Sequence, residues 1–297
     1  MIRGRRMKKS VHNGYAKINL HLDVTGVLAD GFHRVLTVMQ SLSLCDTVTL
    51  TRVEGDGISV CCNVQGVPLD EKNLAVKAVR KYFERAGIFM GVHIDIEKRI
   101  PMAAGLAGGS ADAAAALKAI NELCGFPLDL EQLCAIASEL GSDVPFCLVG
   151  GTAMGEGKGD ILTPLPKMPN CTIVVACGGE GVLTPWAYRE LDRIHGGFLS
   201  ADLYTPKDVL PLIDALERKS VEDVAAELYN IFEEPVLACR PQAARLKKTM
   251  LEGGAIGALM SGSGPSVFGI FTDDDAAEHT ARLIEKLGIT PHICKPI

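Results

Sequence analysis

The most constraining feature of the sequence is a glycine-rich segment between a predicted strand and a predicted alanine-rich helix. The segment reads PMAAGLAGGSAD over residues 101–112, after the alternating apolar and polar residues of 93–100 and before the alanine-rich stretch 110–124. Glycine allows positive φ angles and lets a ligand approach the backbone closely. Free N–H groups and the dipole at a helix N-terminus attract phosphate. We therefore favour a phosphate-binding turn over a tight turn that binds no ligand.

Better-known phosphate-binding patterns are absent from the sequence. It contains no G-x-x-x-x-G-K-[ST] run, which excludes a P-loop enzyme, and no G-x-G-x-x-G run, which disfavours a dinucleotide-binding Rossmann site. The H-R-D and D-F-G elements of protein kinases are missing as well.

The composition is typical of a globular protein and excludes other classes of function. Of the 297 residues, 47% are hydrophobic and 22% charged, and the net charge of −6 gives no general reason to bind nucleic acid. No apolar run approaches the length of a membrane span, and no secretory signal is visible. We expect a soluble, cytoplasmic protein that binds neither nucleic acid nor a membrane. The basic residues that we expect to form a solvated N-terminal end are Arg3, Arg5, Arg6, Lys8 and Lys9.

The ten cysteines and seven histidines show no spacing typical of disulfides or zinc sites. There is no C-x-x-C pair, and Cys61 and Cys62 are simply adjacent. Cys134 and Cys147 stand in apolar surroundings, where cysteine behaves as a small hydrophobe. We expect reduced thiols that bind no metal.

Hydrophobic periodicity predicts a mixture of strands and helices, which indicates an α+β fold. Strands are predicted at 16–24, 46–53, 58–64, 93–100 and 173–177, and a hairpin at 255–260 and 266–271. Helices are predicted at 73–86, 110–124, 130–140, 221–232, 241–251 and 275–287. The proline-rich stretch 163–170 is either a domain boundary or a surface loop inside one domain.

Three shorter motifs carry candidate functional groups, although each is also compatible with an ordinary structural role. The run AKINL places Lys17 and Asn19 on one face of a strand, unless Lys17 is only a solvent-facing strand residue. The run GSDVP places Asp143 among apolar residues at a helix exit, where it is a candidate general base or a turn aspartate. The run GALMSGSGPSVF at 257–268 is a second glycine-rich turn or a plain hairpin loop.

Taken together, these motifs resemble those of the GHMP kinases (galacto-, homoserine, mevalonate and phosphomevalonate kinases). The segment 101–110 is similar to their P-x-x-x-G-L-x-G-G-S motif, which cradles ATP phosphates in that superfamily. The segment 257–268 is similar to the third motif, which folds back onto the nucleotide site. AKINL, the phosphate loop, GSDVP and MSGSGPSVF follow in the order of the family over nearly the whole chain. The runs ADGFH at 29–33 and VLTPWAY at 182–188 resemble segments of the diphosphocytidyl-methylerythritol kinases in particular.

The resemblance implies which residues carry out catalysis and bind ATP. Asp143 would be the catalytic base, and Lys17 would be its cationic partner. ATP and Mg²⁺ would be the cofactors, and no metal ligand is assigned. The ATP-binding residues would be Pro101, Ala104, Gly105, Leu106, Ala107, Gly108, Gly109 and Ser110.

The resemblance also implies a binding site for the second substrate. Phe32 and Tyr188 would sandwich a cytosine ring, and His33 would form a hydrogen bond with the edge of that ring. Asn19 and Thr184 would contact the same substrate. A flat base between two aromatic side chains is a common arrangement in nucleotide recognition.

The chain departs from the usual pattern of the family at several positions. Ala107 and Ala111 stand where glycine and serine are usual, so that close approach of a ligand is retained but one hydroxyl group is lost. Phe32 stands where tyrosine is usual, and the run NIFE at 230–233 replaces a frequent N-D-L-E.

The fold implied by the resemblance is α+β, with a ribosomal-S5-like N-terminal domain at 1–165 and a ferredoxin-like C-terminal domain at 166–297. The reaction implied is ATP-dependent phosphorylation of the 2-hydroxyl of 4-diphosphocytidyl-2-C-methyl-D-erythritol, in the non-mevalonate route to isoprenoid precursors. The partner would be this small molecule, and the chain would be a monomer or weak homodimer. The alternatives are a GHMP kinase for homoserine or a mevalonate-type acid, and a non-catalytic nucleotide-binding protein.

Overall fold

The computed structural model describes residues 8–196 and 204–297. Arg3, Arg5 and Arg6 of the basic N-terminal run therefore lie outside the described residues. The strands are β1 (Lys9–Val27), β2 (His33–Val53), β3 (Ile58–Cys62), β4 (Gly91–Glu97), β5 (Thr152–Glu156), β6 (Ile161–Pro164), β7 (Thr172–Cys177), β8 (Tyr229–Asn230), β9 (Gly257–Met260), β10 (Ser266–Phe271) and β11 (Pro291–Cys294). The helices are α1 (Leu74–Ala86), α2 (Gly108–Leu123), α3 (Leu130–Leu140), α4 (Asp143–Val149), α5 (Thr184–His195), α6 (Leu210–Arg218), α7 (Val221–Ala226), α8 (Glu233–Cys239), α9 (Pro241–Glu252) and α10 (Asp274–Glu285).

The chain forms two compact units, and both are built from segments that are not contiguous in sequence. The first unit contains the described residues of Met1–Ala16, together with Cys45–Ile100 and Ala107–Val149. The second contains the described residues of Lys17–Leu44, Pro101–Leu106 and Gly150–Ile297. The expected division into domains at residue 165 stays a prediction.

In the first unit, strand β4 is paired on both sides. It lies antiparallel to the second half of β2 and parallel to β3. Helix α1 begins where the Asn73 side chain accepts a hydrogen bond from the Ala75 backbone, and it ends at Gly87, which has a φ of 64°. Capping of this kind satisfies N–H and C=O groups that have no partner inside the helix.

Helix α2 packs against α1 and α4 in the first unit, and its residues from Ala111 to Asn121 are buried except for the half-buried Lys118. Its alanines leave room for close neighbours, and a Cβ at Gly14 of β1 would lie only 2.4 Å from the Ala111 carbonyl oxygen. Small side chains on α2 and a glycine on β1 therefore allow the strand to cross the helix in direct backbone contact.

The second unit contains a four-stranded antiparallel sheet in the order β11-β7-β10-β9. Helices α9 and α10 cover this sheet, and its core includes Val174, Met250, Phe271 and Ile284. In the same unit the second half of β1 pairs in parallel with β8, and the first half of β2 pairs with β5.

Most of the predicted elements are present in the structure. The α+β class, the helix at 130–140 and the hairpin of β9 and β10 are confirmed. The single helix predicted at 221–232 is wrong, because α7 ends at Ala226 and a short strand precedes α8. Residues 229–230 instead form β8, which pairs with His21 and Leu22 of β1, and the Asn230 side chain accepts a hydrogen bond from the Phe232 N–H at 3.0 Å. Within residues 8–196 and 204–297, no helix combines the length and the apolar character that crossing a membrane requires.

We expect Gly91 to be required for packing at the start of β4. A Cβ there would lie 2.6 Å from the Gly55 carbonyl oxygen and 2.9 Å from that of Val53. Because these are backbone atoms, we expect Gly91→Ala to lower the free energy of unfolding by about 1–3 kcal/mol in urea titrations.

The matched control is Gly57→Ala in the same unit. A Cβ at Gly57 would have no neighbour within 4 Å. We expect this variant to change the free energy of unfolding by no more than about 1 kcal/mol. Equal stability of the two variants would show that the backbone contact at Gly91 is unimportant.

Candidate active site

Three of the sequence motifs are hydrogen-bonded to one another within the second unit. The backbone N–H of Lys17, in the first motif, donates to the Leu106 carbonyl of the glycine-rich loop at 3.2 Å. The Ser261 hydroxyl, in the third motif, donates to the Gly105 carbonyl at 2.9 Å. The structure thus brings together segments that are far apart in sequence, as expected for a shared site.

The side chains of Lys17 and Asn19 form a buried pair on β1. Only 4% of Lys17 and 2% of Asn19 is exposed, and the Lys17 Nζ donates to the Asn19 Oδ1 at 2.9 Å. Asn19 also accepts from the Gly262 N–H at 3.0 Å and donates to the Thr37 Oγ1 at 2.8 Å. A buried ammonium group needs such partners, because its desolvation is costly. The alternative of a solvent-facing Lys17 is therefore wrong.

Glycines make the contact between the second and third motifs possible. Gly105 has a φ of 78°, and a Cβ there would lie 2.3 Å from the Ser261 carbonyl oxygen. Gly262 has a φ of 57°, and a Cβ there would lie 3.1 Å from the Gly105 carbonyl oxygen. These two glycines allow loop-to-loop packing, in addition to any role in approaching a ligand.

The remaining part of the glycine-rich loop belongs to the first unit and begins α2. Ala107, the N-cap residue, has a φ of 57° and no side-chain hydrogen bond that caps the helix. Gly109 is exposed, and Gly108 and Ser110 are half-buried. The first turn therefore presents N–H groups that no N-cap side chain satisfies, which is the arrangement that binds phosphate in many proteins.

A buried cluster of three charged side chains lies beneath this turn. The Lys98 Nζ forms ion pairs with Asp46 and, at 2.8 Å, with the Asp112 Oδ2 on α2. Asp46 also accepts from the backbone N–H of Arg99 at 2.5 Å. A Cβ at Gly108 would lie 3.1 Å from the Lys98 Nζ. The cluster thus ties the start of α2 to β2 and to the segment that follows β4.

Two carboxylates share one ammonium group in this cluster, and this arrangement affects how readily Asp112 loses its proton. Burial raises the pKa of Asp112 from 3.8 to about 7, against the opposing effect of Lys98. Burial acts to lower the pKa of Lys98, but the two carboxylates outweigh it and raise that pKa. The Asp112 Oδ1 is buried without a hydrogen-bond partner among the described residues. A shared proton is the expected result when like charges are confined together.

Asp143 is the first residue of α4 and lies in the first unit. It is half-buried, and it follows Gly141, which ends α3. The predicted position of this residue, at a helix exit and among apolar residues, is confirmed, whereas helix α4 itself was not predicted.

The expected cytosine-binding residues lie in the second unit, and Phe32 is 59% exposed. The Phe32 backbone N–H donates to Asp30 at 3.2 Å, and the Lys158 Nζ lies 3.8 Å from the centroid of the Phe32 ring. Lys158 also pairs with Asp30 at 2.8 Å. The turn thus presents an aromatic ring to solvent and places a cation against it.

His33 and Tyr188 are in direct contact. Their rings stack with centroids 4.5 Å apart, and the His33 Nε2 lies 2.8 Å from the Asp192 Oδ1. Phe232 meets the Tyr188 ring edge-on at 4.9 Å. Thr184, at the start of α5, has its hydroxyl 3.0 Å from that of Ser263 in the third motif.

Several residues of these clusters were not found from the sequence. Asp192 lies one helical turn after Tyr188 on α5, a spacing that would have indicated a shared face if the helix had been predicted. Lys98 and Asp46 are 52 residues apart, so no local pattern joins them. Thr37 lies in the half of β2 that was not predicted as a strand.

The cysteines and metal ligands can be described over the same residues. None of the ten cysteines, all of which lie among the described residues, forms a disulfide bond, and burial raises the pKa of Cys171 and of Cys294 to about 11. The described part of the chain contains no group of three or more His, Cys, Asp or Glu side chains that could hold a metal ion.

Comparison with known proteins agrees with this arrangement of motifs. The GHMP kinases N terminal domain matches residues 73–151, and the GHMP kinases C terminal domain matches residues 212–288. A protein of Gloeobacter violaceus named 4-diphosphocytidyl-2-C-methyl-D-erythritol kinase is 42% identical over 94% of this chain and 92% of its own length. The chain belongs to the 4-diphosphocytidyl-2-C-methyl-D-erythritol kinases of the GHMP kinase superfamily. A protein of Bacillus velezensis with the same name is 42% identical over 86% of each chain.

Solved structures show the same family and the same fold. A crystal structure of 4-(cytidine 5'-diphospho)-2C-methyl-D-erythritol kinase matches with a TM-score of 0.80 and 33% identity, over 97% of this chain and 99% of that one. A homoserine kinase from Cytophaga hutchinsonii matches with a TM-score of 0.72 and 21% identity, over 100% of this chain and 96% of that one, and it shares the fold. The GHMP kinase fold inferred from the motifs is thus confirmed.

The buried cluster predicts how the stability of this kinase varies with pH. Because its pKa is raised from 3.8 to about 7, Asp112 holds a proton in the folded protein that the unfolded chain releases. This stabilisation is fully present below pH 3.8 and is lost as the pH rises through about 7. Each unit of pKa difference is worth about 1.4 kcal/mol. We expect Asp112→Asn to remove this decline in urea unfolding at a series of pH values.

The control is Asp70→Asn, an exposed turn aspartate of the same unit. It should leave the dependence of unfolding free energy on pH as in the wild type. If Asp112→Asn also keeps the wild-type curve, the proton is not held at Asp112.

Proposed function

We propose that this kinase transfers the γ-phosphoryl group of ATP to the 2-hydroxyl of 4-diphosphocytidyl-2-C-methyl-D-erythritol. The observation that carries the proposal is the buried Lys17 ammonium group, which Asn19 holds where three motifs of the family meet. The names of relatives that are 42% identical over most of the chain support the choice of substrate.

Phosphoryl transfer depends on alignment of the reacting groups and on neutralisation of charge, with little covalent help from the protein. The uncapped first turn of α2 supplies N–H groups for the ATP phosphates. Pro101, Ala104, Gly105 and Leu106 form the rest of the proposed ATP-binding loop. Lys17 supplies a fixed positive charge that stabilises the negative charge developing during transfer.

Asp143 is the proposed catalytic base. It accepts the proton of the substrate hydroxyl, so that the oxygen can form its bond to phosphorus while the bond between the γ-phosphorus and the leaving ADP oxygen breaks. Its half-buried position at the start of α4 supports this role, because a carboxyl group must remain accessible to take up a proton.

Mg²⁺ is the metal ion that such a reaction implies. The described residues hold no cluster of metal-ligating side chains, but Ser110 provides a hydroxyl oxygen in the first turn of α2. This donor set fits Mg²⁺, which prefers oxygen ligands and is usually bound through substrate phosphates and waters instead of a cage made by protein alone. The Ser110 hydroxyl would hold the ion, which would neutralise phosphate charge when bound.

The proposed cytidine site uses the aromatic residues of the second unit. The exposed ring of Phe32 and the ring of Tyr188 supply faces on which a base can stack, and His33 supplies a polar group for the edge of the base. Thr184 and Asn19 complete the set of residues proposed to bind substrate.

The proposal extends to the state and the surroundings of the enzyme. We infer that it acts in the cytoplasm as a monomer or weak homodimer and binds no nucleic acid, which a net charge of −6 supports. We also propose that the protein consists of an N-terminal domain at 1–165 and a C-terminal domain at 166–297.

The test is ATP consumption by the purified chain with three acceptors, one at a time. We expect turnover with 4-diphosphocytidyl-2-C-methyl-D-erythritol and none above background with homoserine or mevalonate. Turnover with one of the latter acceptors alone would place the chain with another branch of the superfamily. No turnover with any of them would support a non-catalytic nucleotide-binding protein.

We expect Asp143→Asn to lower kcat by at least about 10²-fold, because the amide cannot accept the proton. ATP affinity should hardly change. Asp129→Asn is the matched control, because Asp129 caps α3 in the same unit and asparagine caps a helix equally well. A kcat near that of the wild type in Asp143→Asn would remove Asp143 from the mechanism.

A further inference from the structure

The orientation of the Asn19 amide is determined by its partners. Its Oδ1 accepts from the Lys17 Nζ at 2.9 Å and from the Gly262 N–H at 3.0 Å, and both of these groups can only donate. Its Nδ2 donates to the Thr37 Oγ1 at 2.8 Å, whose own proton goes to the His21 carbonyl at 2.7 Å. Reversing the amide would place donors against donors, so one orientation alone satisfies every group.

The loop that supplies the Gly262 N–H is held in turn by Asn230. The Asn230 Nδ2 donates to the Met260 carbonyl at 2.7 Å and to the Gly262 carbonyl at 2.9 Å. Its Oδ1 accepts from the Phe232 N–H at 3.0 Å, so this amide has one orientation as well. Only 4% of Asn230 is exposed, and the contact is therefore shielded from water.

Glu233 completes the attachment of the loop. Its Oε1 accepts from the Met260 N–H at 2.9 Å, and its Oε2 pairs with the Lys247 Nζ at 2.5 Å. Met260 is thus held at its carbonyl by Asn230 and at its N–H by Glu233. The segment at 230–233, whose role the sequence left open, contributes both side chains.

A lysine acts as a fixed charge only if its flexible side chain is held in one place. Its flexible four-carbon stem can adopt many rotamers, and electrostatic catalysis requires that the charge be preorganised. The hydrogen bonds described above form a continuous path from Asn230 through Gly262 and Asn19 to the Lys17 ammonium group.

We propose that Asn230 is a positioning residue for the phosphoryl-transfer reaction: it holds the third glycine-rich loop, which fixes the Asn19 amide and so places the Lys17 ammonium group. In this proposal Asn230 acts through the loop and not by its own contact with substrate or ATP. The inference rests on the proposed function, since it assigns Lys17 to the reaction. Asn19 then acts on the reaction by orienting Lys17, whether or not it also contacts the substrate.

The decisive variant is Asn230→Asp, which keeps the shape of the side chain but replaces a double donor with a carboxylate that faces two carbonyl oxygens. We expect kcat to fall on the order of 10²-fold, as for a reacting group displaced by a small distance. KM for ATP and for the cytidyl substrate should stay within about threefold of the wild type. The NMR signal of the Lys17 ¹³Cε, recorded in lysine-labelled protein and assigned by its loss in Lys17→Arg, should change its chemical shift relative to the wild type.

The matched control is Asn121→Asp in the first unit. Asn121 is also 4% exposed, donates to the Leu128 carbonyl at 2.9 Å and accepts from the Tyr82 hydroxyl at 2.9 Å. It makes none of the hydrogen bonds on the path to Lys17. We expect Asn121→Asp to lose stability but to keep both the wild-type kcat and the Lys17 resonance below its unfolding temperature.

A second variant keeps the proposal testable if Asn230→Asp does not fold. Asn230→Ser is too short to reach both carbonyls and should show the same fall in kcat and the same shift of the Lys17 resonance. A folded Asn230 variant with wild-type kcat and an unmoved Lys17 resonance would overturn the proposal. So would a fall in kcat of equal size in Asn121→Asp, which would reduce the role of Asn230 to general stability.

The proposed function and the positioning role of Asn230 can be tested separately. A wild type that does not phosphorylate the cytidyl substrate would overturn the proposed function. The Lys17 resonance needs no turnover, so it would still show whether Asn230 places the ammonium group.

Discussion

The contacts among the motifs of the second unit depend on one constraint, which is that the ammonium group of Lys17 is buried. A lysine that is 4% exposed must find acceptors inside the protein, and Asn19 provides one at 2.9 Å. The Asn19 amide is in turn oriented by the backbone of the third motif, so two segments far apart in sequence must meet. The second motif packs against the third as well, because Gly105 and Gly262 carry no Cβ and the two loops touch at backbone distance. Three of the family motifs are therefore parts of one hydrogen-bonded network within the second unit.

The first unit also buries a lysine, but there the carboxylates around the ammonium group outnumber it. Lys98 is buried between two carboxylates, and the excess negative charge is relieved by a proton that Asp112 retains up to about pH 7. The cluster anchors the first turn of α2, where the ATP phosphates are proposed to bind. A net negative group beneath a polyanion site would be unfavourable if fully ionised, so protonation of Asp112 suits both the fold and the proposed ligand.

The features that the sequence predicted well are those determined by local pattern. Helix α3 was found with its bounds because a capping aspartate begins it and Gly141 ends it. The strands of the hairpin were found because two short, mostly apolar runs flank the glycines at 262 and 264. The roles of Lys17 and Asp143 come from motif resemblance and stay predictions, although the structure shows that Lys17 is buried and that Asp143 begins α4. What the sequence could not show are contacts between distant residues, such as Lys98 with Asp46 and Asn230 with Met260. The helix predicted at 221–232 was wrong for the same reason, because residues 229–230 pair with the distant strand β1.

The continuous path of hydrogen bonds from Asn230 to Lys17 has a consequence for how this enzyme evolves. Residues that share one hydrogen-bond network do not contribute independently to activity. Substitutions along the path should therefore be epistatic: once a first substitution has disturbed the network, a second should lower kcat by a smaller factor. The middle of the segment is free of this coupling, because Ile231 and Phe232 are buried apolar residues whose side chains lie outside the network. We therefore expect substitutions at Ile231 and Phe232 to act through packing, whereas those at Asn230 and Glu233 disturb the hydrogen bonds that hold the loop. Amino-acid changes in such a segment should therefore accumulate at positions that only pack. Positions that are joined by hydrogen bonds should change together or not at all.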